Sequence, residues 1–232
     1  MICAIHQPQY LPWLGYFDKM ARVDVFILLD NVQFKKNEWQ NRNKIRTSQG
    51  WQWLTVPVLH NFGQTINEVK PNPAMDWRAQ HLRALEQNYS KAPFFAQYWP
   101  QIRKIFEKDW GTLGSLNIEL VLLLAELLGI KTRIITASSL PVTSIKTQRL
   151  IDICQHLGAD TYLAGAGCAD YMDFGLFQAA GIGVLTQSYT HPIYRQCWTD
   201  NGEDFIACLA AVDLLFNCGE RSLAVLMSGN PS

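Results

Sequence analysis

The first residues that could carry chemistry form a polar loop after the first predicted strand. The loop opens with His6 and Gln7, and Tyr10 and Tyr16 add two hydroxyl groups. Gly15 lets a ligand or another backbone approach closely. This density of polar groups favours a binding or catalytic loop in which His6 transfers a proton. A rigid turn whose histidine is hydrogen-bonded to the backbone is the structural alternative.

A basic stretch follows the second predicted strand. Asp30 and Gln33 come first, and residues 35–46 then hold five of the chain's 20 Lys and Arg residues beside a single Glu. Ammonium and guanidinium groups bind phosphate or carboxylate, an indole stacks on planar groups, and Asp30 is a second candidate for proton transfer. The pattern predicts an anion site, although charge runs are also common on solvated surfaces. Together with Gln33, the stretch contributes Lys35, Lys36, Trp39, Arg42, Asn43 and Lys44 to the predicted site.

Ser144 and Lys146 stand at the start of the predicted helix 146–157. Backbone N–H groups at a helix start, together with a hydroxyl and an ammonium group, can bind phosphate. The same residues also suit an ordinary capped helix start. We assign both to the substrate site.

A glycine pair, Gly165 and Gly167, leads from a predicted strand into the predicted helix 171–180. The pair lacks the third glycine of the dinucleotide-binding fingerprint, and the chain has no Walker-type phosphate loop. Asp173 is either a ligand contact or a helix cap. We assign the three residues to the substrate site and leave both roles open for the aspartate.

Other familiar catalytic patterns are missing from the sequence. The five histidines form no HExxH pair, no GxSxG nucleophile turn occurs, and the six cysteines include no CxxC pair. We therefore predict no metal site among the protein's side chains, and the sequence leaves any cofactor unknown. Scattered cysteines in a chain long enough to form a large core predict a reduced, cytoplasmic protein.

Composition limits the classes of partner. The 20 basic and 20 acidic side chains give a formal net charge of zero, which provides no field for a nucleic acid or an anionic membrane surface. The most apolar stretch, residues 116–130, contains two glutamates and is too short to span a bilayer. We expect a small anionic metabolite or a nucleotide-linked substrate as partner. The oligomeric state stays open.

The elements that must position these residues alternate between strand and helix, with short joints that contain glycine. This alternation is typical of βαβ units and predicts an α/β fold with a Rossmann-like open parallel sheet and helices on both faces. The predicted strands are residues 2–5, 25–29, 132–137, 161–164 and 183–188. The predicted helices around the sheet are residues 13–21, 115–128, 146–157, 171–180 and 205–216.

Residues 31–112 break this alternation. They hold a predicted hairpin that turns at residues 48–50 and two predicted helices, 76–89 and 94–108. We interpret them as a helical and hairpin insertion after the second strand of a single domain, 1–232. In such a domain the loops after the strands meet at one edge of the sheet.

Four strings resemble the WbqC-like protein family: IHQPQYLPWLGYFDKM, DVFILLDNVQFKKNEWQNRNKI, TQRLIDICQHLGADTYLAGAGCADYMD and LLFNCGERS. They occur in order from residue 5 to about residue 222. Members of this family often lie in gene clusters for surface polysaccharides and other natural products. The resemblance implies a role in modifying a sugar or a small metabolite.

A more distant likeness, to nucleotidylyltransferases of the HIGH-motif superfamily, bears on mechanism. In those enzymes two loop histidines and a later Ser or Thr with a Lys hold the phosphates of a nucleotide. By this likeness His6 matches one histidine, Gly15 the glycine, and Ser144 with Lys146 the later motif. Tyr16 stands where the second histidine would be, and a neutral tyrosine has only one donor to offer.

These observations lead to two hypotheses. The first is a transferase-like enzyme of polysaccharide or natural-product biosynthesis, which acts on a nucleotide-activated amino sugar or an acyl-activated small metabolite through a local cationic site. The second is a non-catalytic metabolite-binding or assembly protein of a biosynthetic cluster. Trp51 and Trp53, which share one face of a predicted strand, would form a contact patch of such a protein.

Overall fold

A central sheet of five parallel strands organises the protein, whose computed structural model describes residues 1–168, 172–199 and 204–229. The strands are β1 (Ile2–His6), β2 (Val25–Leu28), β7 (Arg133–Thr136), β8 (Thr161–Ala164) and β9 (Gly183–Thr186). They lie side by side in the order β7-β2-β1-β8-β9. Helices cover both faces, so the predicted α/β class and the Rossmann-like open sheet are confirmed.

Eight α-helices occur within the described residues. They are α1 (Leu14–Ala21), α2 (Trp77–Tyr89), α3 (Phe95–Glu107), α4 (Leu113–Leu127), α5 (Lys146–Leu157), α6 (Phe174–Ala179), α7 (Val212–Cys218) and α8 (Ser222–Met227). The bounds of α5 are those predicted, and those of α1, α2 and α3 differ from prediction by at most one residue at either end. In this part of the chain, no helix combines the length and the apolar character that crossing a membrane requires.

The alternation of side chains along the strands divides the apolar core into two clusters. Ala4 and Phe26 point to the larger cluster, which contains buried residues of α1, α3, α4 and α7. Cys3 and Ile27 point to the opposite face, where α5 and α6 pack. Both faces of β1 and β2 are therefore buried, which explains why these strands are apolar at successive positions.

The strand order reverses between β1 and β8. The register of β8 against β1 covers Ile2 and Cys3, and the two strands have separated by the end of β1. There the buried Lys19 ammonium of α1 donates to the Ile5 carbonyl at 3.1 Å. Burial lowers the pKa of Lys19 to about 8. Ligands of open α/β sheets bind near such a reversal, beyond the carboxyl ends of the strands.

The chain between β2 and β7 contains two small antiparallel pairs and three helices. The first pair is the predicted hairpin, formed by β3 (Arg42–Thr47) and β4 (Gly50–Thr55). Gly50 has a φ of 118°, a conformation that favours glycine, and this explains the glycine at the turn. The second pair, β5 (Val58–Leu59) and β6 (Lys70–Pro71), is followed by α2, α3 and α4.

The predicted helix 205–216 is wrong at its start, because α7 begins at Val212. The backbone N–H of Ala210 donates to the Lys44 carbonyl at 2.9 Å, and that of Ala211 donates to the Pro12 carbonyl at 2.8 Å. Tertiary hydrogen bonds thus take the donors that an earlier helical turn would use. Helical periodicity alone does not reveal this competition.

The predicted starts of two other helices also differ from the structure. Ser115 is the third residue of α4 instead of its cap, and the Thr112 hydroxyl caps the helix by accepting from the Ser115 backbone N–H at 3.1 Å. The predicted start of α6, Tyr171, lies outside the described residues, and α6 begins at Phe174. The short helix α8 was not predicted.

A buried carboxylate, Asp213, joins α7 to α2 and to the segment before α7. It accepts hydrogen bonds from the hydroxyls of Tyr89 at 2.9 Å and Tyr194 at 2.8 Å, and from the side-chain amide of Gln196 at 3.1 Å. Burial raises the pKa of Asp213 to about 6 although these donors oppose the shift. The network therefore retains a proton at mildly acidic pH.

Substitution Asp213→Asn tests this linkage. Because native Asp213 binds its proton at higher pH than the unfolded chain does, its contribution to stability is largest at low pH and is lost as pH rises from about 4 to about 6. A pKa difference of about two units corresponds to about 3 kcal/mol. We expect the free energy of unfolding, wild type minus variant, to fall by up to this amount between pH 4 and pH 7 in urea titrations. A difference that stays constant with pH would contradict the linkage.

Candidate functional site

The main candidate site is a pocket of ≈ 580 Å³ beyond the carboxyl ends of β1 and β2, next to the start of α5. We call it the sheet-edge pocket. Open α/β sheets bind their ligands at this edge. Its described lining consists of Gln7, Leu29, Asn31, Val32, Gln33, Ile145, Lys146, Thr147, Arg149 and Leu150. Three predicted site residues, Gln7, Gln33 and Lys146, are thereby brought together.

The start of α5 gives one wall of the pocket its positive potential. The preceding residue, Ile145, has an apolar side chain that cannot cap the helix, and no other side chain of the described residues caps its first N–H groups. Lys146 adds its ammonium group at the first helical position and has a left-handed φ of 53°. This conformation is strained for a residue with a side chain, and such strain is frequent at binding sites.

Arg149 connects the two walls of the pocket. Its Nη1 donates to the Asn31 carbonyl at 3.3 Å, and its Nε donates to the Ser144 carbonyl. The loop after β2 is thereby held against the loop before α5. Ser144 takes part through this carbonyl at the pocket's edge, while its own side chain does not belong to the described lining.

Gln7 brings the first loop into the pocket. Its side-chain oxygen accepts from Gln40 Nε2 at 2.8 Å, so Gln40 of the segment between β2 and β3 sets the orientation of the Gln7 amide. Within the described residues its amide nitrogen has no hydrogen-bond partner. The nitrogen is therefore free to donate to a ligand, as are the amides of the exposed Gln33 and the half-buried Asn31.

His6 is the last residue of β1 and packs against Tyr16 of α1. Its ring packs edge-on against Tyr16 with centroids 4.8 Å apart, and its Nδ1 is 3.2 Å from the Gln7 carbonyl oxygen. Burial, together with a smaller effect of the nearby Lys19 charge, lowers the pKa of His6 to about 3. His6 is thus neutral at pH 7, outside the lining of the sheet-edge pocket, and its role in proton transfer stays a prediction.

Packing contacts inside the protein account for Tyr10, Gly15 and Tyr16. Tyr10 is fully buried and its hydroxyl lies 2.7 Å from His81 Nδ1. A Cβ at Gly15 would overlap the Trp13 indole, so this glycine admits an indole instead of a ligand. Tyr16 is buried among aromatic rings and, among described atoms, its hydroxyl has no hydrogen-bond partner. The structure places none of the three in the sheet-edge pocket.

The side chains of Asp30 and Asn43 are also buried, and both form hydrogen bonds within the protein. Asp30 Oδ1 accepts from the Ser138 backbone N–H at 3.0 Å, which ties the end of β2 to the segment after β7. Asn43 Nδ2 donates to the Leu11 carbonyl of the first loop. Neither side chain lines the pocket. The sequence pattern predicted polar groups near the sheet-edge pocket but did not show which of them line it.

The predicted basic site is divided between a loop and a hairpin. Lys35 and Lys36 are exposed in the loop after β2. Arg42 and Lys44 lie on β3 against the rings of Trp53 and Trp51, and Trp39 packs beside Trp53 at 5.8 Å. None of these five predicted residues lines the sheet-edge pocket. Its cations are Lys146 and Arg149 instead.

Gly165 and Gly167 follow β8 outside the described lining of the sheet-edge pocket, and their role in substrate binding stays a prediction. A Cβ on Gly165 or Gly167 would meet nothing within 4 Å. Asp173 serves as the cap of α6, accepting from the backbone N–H groups of Gly175 at 2.9 Å and Leu176 at 3.3 Å. Of the two roles left open for Asp173, the structure shows the cap.

Sequence reasoning missed Asn31, Thr147 and Arg149 as pocket residues. Arg149 follows Lys146 by three positions on a helix, a spacing that places both on neighbouring positions of one helix face. Asn31 comes directly after Asp30 at the end of a buried strand. Both features are visible in the sequence and would have identified Arg149 and Asn31.

The sequence profile of the WbqC-like protein family matches residues 7–225. The chain belongs to this family. The matched range contains every described residue of the sheet-edge pocket of this WbqC-like protein. It is 39% identical over 223 residues to "Uncharacterized protein Rv1507c" of Mycobacterium tuberculosis (strain ATCC 25618 / H37Rv), with 94% of each chain covered. No solved structure matches the WbqC-like chain, and the likeness to HIGH-motif nucleotidylyltransferases stays a prediction.

Substitution Gly15→Ala tests the structural role of the first loop. The new Cβ must displace the Trp13 indole, so we expect a loss of about 1–3 kcal/mol in the free energy of unfolding, as for other overpacked sites. Gly165→Ala is the matched control, because its Cβ enters open space. Chemical denaturation of both variants measures the effect. Equal stabilities of the two variants would contradict this role.

Proposed function

We propose that the protein is a transferase-like enzyme that binds a nucleotide-activated amino sugar, or an acyl-activated small metabolite, by its phosphate groups in the sheet-edge pocket. The observation that carries the proposal is the uncapped start of α5, which contributes to the pocket beside the Lys146 ammonium. A helix start without a cap offers backbone donors and a positive dipole end to an anion. The pocket volume of ≈ 580 Å³ lies in the range of small-molecule sites.

The remaining polar groups of the pocket suit the polar part of such a ligand. Gln7, Asn31 and Gln33 present side-chain amides, which can both donate to and accept from sugar hydroxyl or acylamino groups. Leu29 and Leu150 add apolar surface to the lining. Arg149 is a positioning residue, since its guanidinium is already engaged with the two pocket walls.

The group transfer needs charge stabilisation at the phosphate. With a nucleotide-activated sugar, the bond from the anomeric carbon to the phosphate oxygen breaks, and its electron pair stays on that oxygen. The acceptor's oxygen or nitrogen bonds to the carbon, and its proton passes to the leaving phosphate, whose second pKa of about 6 suits neutral pH. Lys146 and the α5 N–H groups stabilise the negative charge of the leaving group.

A second candidate, non-catalytic metabolite binding, is favoured by one observation. None of the ten described lining residues is a carboxylate, histidine or cysteine that could act as base or nucleophile. Incubation of the protein with a bound nucleotide sugar and candidate acceptors, followed by mass spectrometry, separates the two. Consumption of the donor supports the transferase, whereas binding without consumption supports the second candidate.

Substitution Lys146→Gln tests the phosphate site. Loss of a charge-assisted hydrogen bond costs about 1.5–3 kcal/mol, so we expect the dissociation constant to rise about 10- to 150-fold. Calorimetric titration with inorganic phosphate, UDP, a UDP-linked N-acetylated amino sugar and acetyl-coenzyme A measures it. Lys131→Gln, at an exposed lysine outside the pocket lining, is the control and should bind as the wild type does.

Two results would overturn the proposal. One is the failure of every phosphorylated ligand to bind the wild-type protein. The other is equal affinity of the Lys146→Gln and Lys131→Gln variants, which would remove the start of α5 from the site. Retained secondary structure, measured by circular dichroism, establishes that each variant is folded.

A further inference from the structure

One face of the β3–β4 hairpin carries a row of three tryptophans. Trp39 and Trp53 have ring centroids 5.8 Å apart, and Trp53 and Trp51 have centroids 5.6 Å apart. The register pairs Lys44 with Trp53, which places Lys44 on this face as well, and Arg42 follows on the same side of β3. We call these five residues the indole face.

The two cations of the indole face lie over its rings. The Arg42 guanidinium carbon is 4.3 Å from the centroid of Trp53, and Lys44 Nζ is 4.2 Å from that of Trp51 and 5.2 Å from that of Trp53. These cation–π contacts hold the charges at the surface in fixed positions. The face thus combines flat apolar rings with ordered positive charge.

Arg42 and Lys44 form no ion pair with a carboxylate in the described parts of the chain. The sequence from residue 39 to residue 67 contains no Asp or Glu, and Arg42 Nε is buried without a described hydrogen-bond partner. Since half-buried cations are stabilised by carboxylates, this face is complementary to an acidic ligand.

Stabilisation of the hairpin explains only part of this arrangement. A packed hairpin benefits from cation–π pairs, but it does not require large rings in solvent. Trp51 is 45% exposed, and Trp39 and Trp53 are half-buried. Exposed aromatic side chains in a contiguous group are characteristic of binding surfaces.

We propose that the indole face binds an acidic oligosaccharide. Indole faces pack against the C–H faces of sugar rings, while Arg42 and Lys44 pair with carboxylate or sulfate groups on those rings. The indole planes meet at 52° and 84°, which prevents a continuous stack of nucleobases. Successive rings of an oligosaccharide are rotated relative to one another and can meet planes at such angles.

This surface is separate from the proposed phosphate site. The indole face shares no residue with the described lining of the sheet-edge pocket. Oligosaccharide binding therefore does not require that the pocket bind a nucleotide, and either proposal can fail while the other holds. If both hold, the indole face binds an extended acceptor or product while the pocket binds the activated donor.

The test is a titration with a hexamer of galacturonic acid, followed by calorimetry and tryptophan fluorescence. Maltohexaose is the neutral comparison, and a single-stranded hexanucleotide is the nucleic-acid comparison. We expect the acidic hexamer to bind most tightly of the three ligands, and we expect its affinity to fall at high salt. Trp51→Ala and Lys44→Gln should each raise its dissociation constant at least tenfold.

A second lysine–tryptophan pair supplies matched controls. Trp110 is half-buried directly after α3, and Lys108 Nζ lies 5.5 Å from the centroid of its ring. Trp110→Ala and Lys108→Gln should leave binding of the hexamer unchanged. Thermal unfolding shows whether each variant is folded, and Lys44→Gln keeps the test valid if Trp51→Ala does not fold.

Three outcomes would overturn the proposal. The first is the absence of measurable binding of the acidic hexamer to the wild-type protein. The second is an equal loss of binding in both lysine–tryptophan pairs, which would indicate a nonspecific effect of charge and exposed rings. The third is tighter binding of the hexanucleotide, which would assign the indole face to nucleic acid.

Discussion

The carbonyl groups of the loop between β1 and α1 are the constraint on which the rest of the structure depends. The Pro8 carbonyl accepts from Asn117 Nδ2 of α4, and the Leu11 carbonyl accepts from Asn43 Nδ2 of β3. The carbonyl of Pro12 accepts from the backbone at the start of α7. Buried carbonyls must be paired, so a single loop of the sheet determines where the hairpin, α4 and α7 can pack.

This constraint separates the structural residues of the loop from those that a ligand can reach. The loop carbonyls and the buried Tyr10 are bonded to β3, α2, α4 and the start of α7, whereas Gln7 lines the sheet-edge pocket and its side-chain oxygen accepts from Gln40. The chain between β2 and β7 thus both completes the core and orients a pocket residue. A change in its packing would alter the pocket without touching any lining side chain.

Local sequence patterns were sufficient to predict most strands of the central sheet and most of the helices that flank it. The apolar spacing in α5 and the β-branched run of β7 are properties of the segments themselves, so their identity could be read directly. The predicted helix that corresponds to α7 begins too early, because the residues before α7 donate backbone hydrogen bonds to Pro12 and Lys44, which are distant in sequence. Lys146 was found since a helix start is a local feature, whereas the burial of Tyr10 and Asp30 depends on partners across the fold.

The guanidinium of Arg149 bridges the Asn31 and Ser144 carbonyls, and this has a consequence for selectivity. Because the guanidinium is planar and rigid, it fixes the separation between the loop after β2 and the loop before α5. Under the proposed function, these loops need no ordering when a ligand binds, so little conformational entropy would be lost on binding. Ligands of different size would be distinguished by fit to a preset opening, and a bulkier one would be rejected without any repulsive charge.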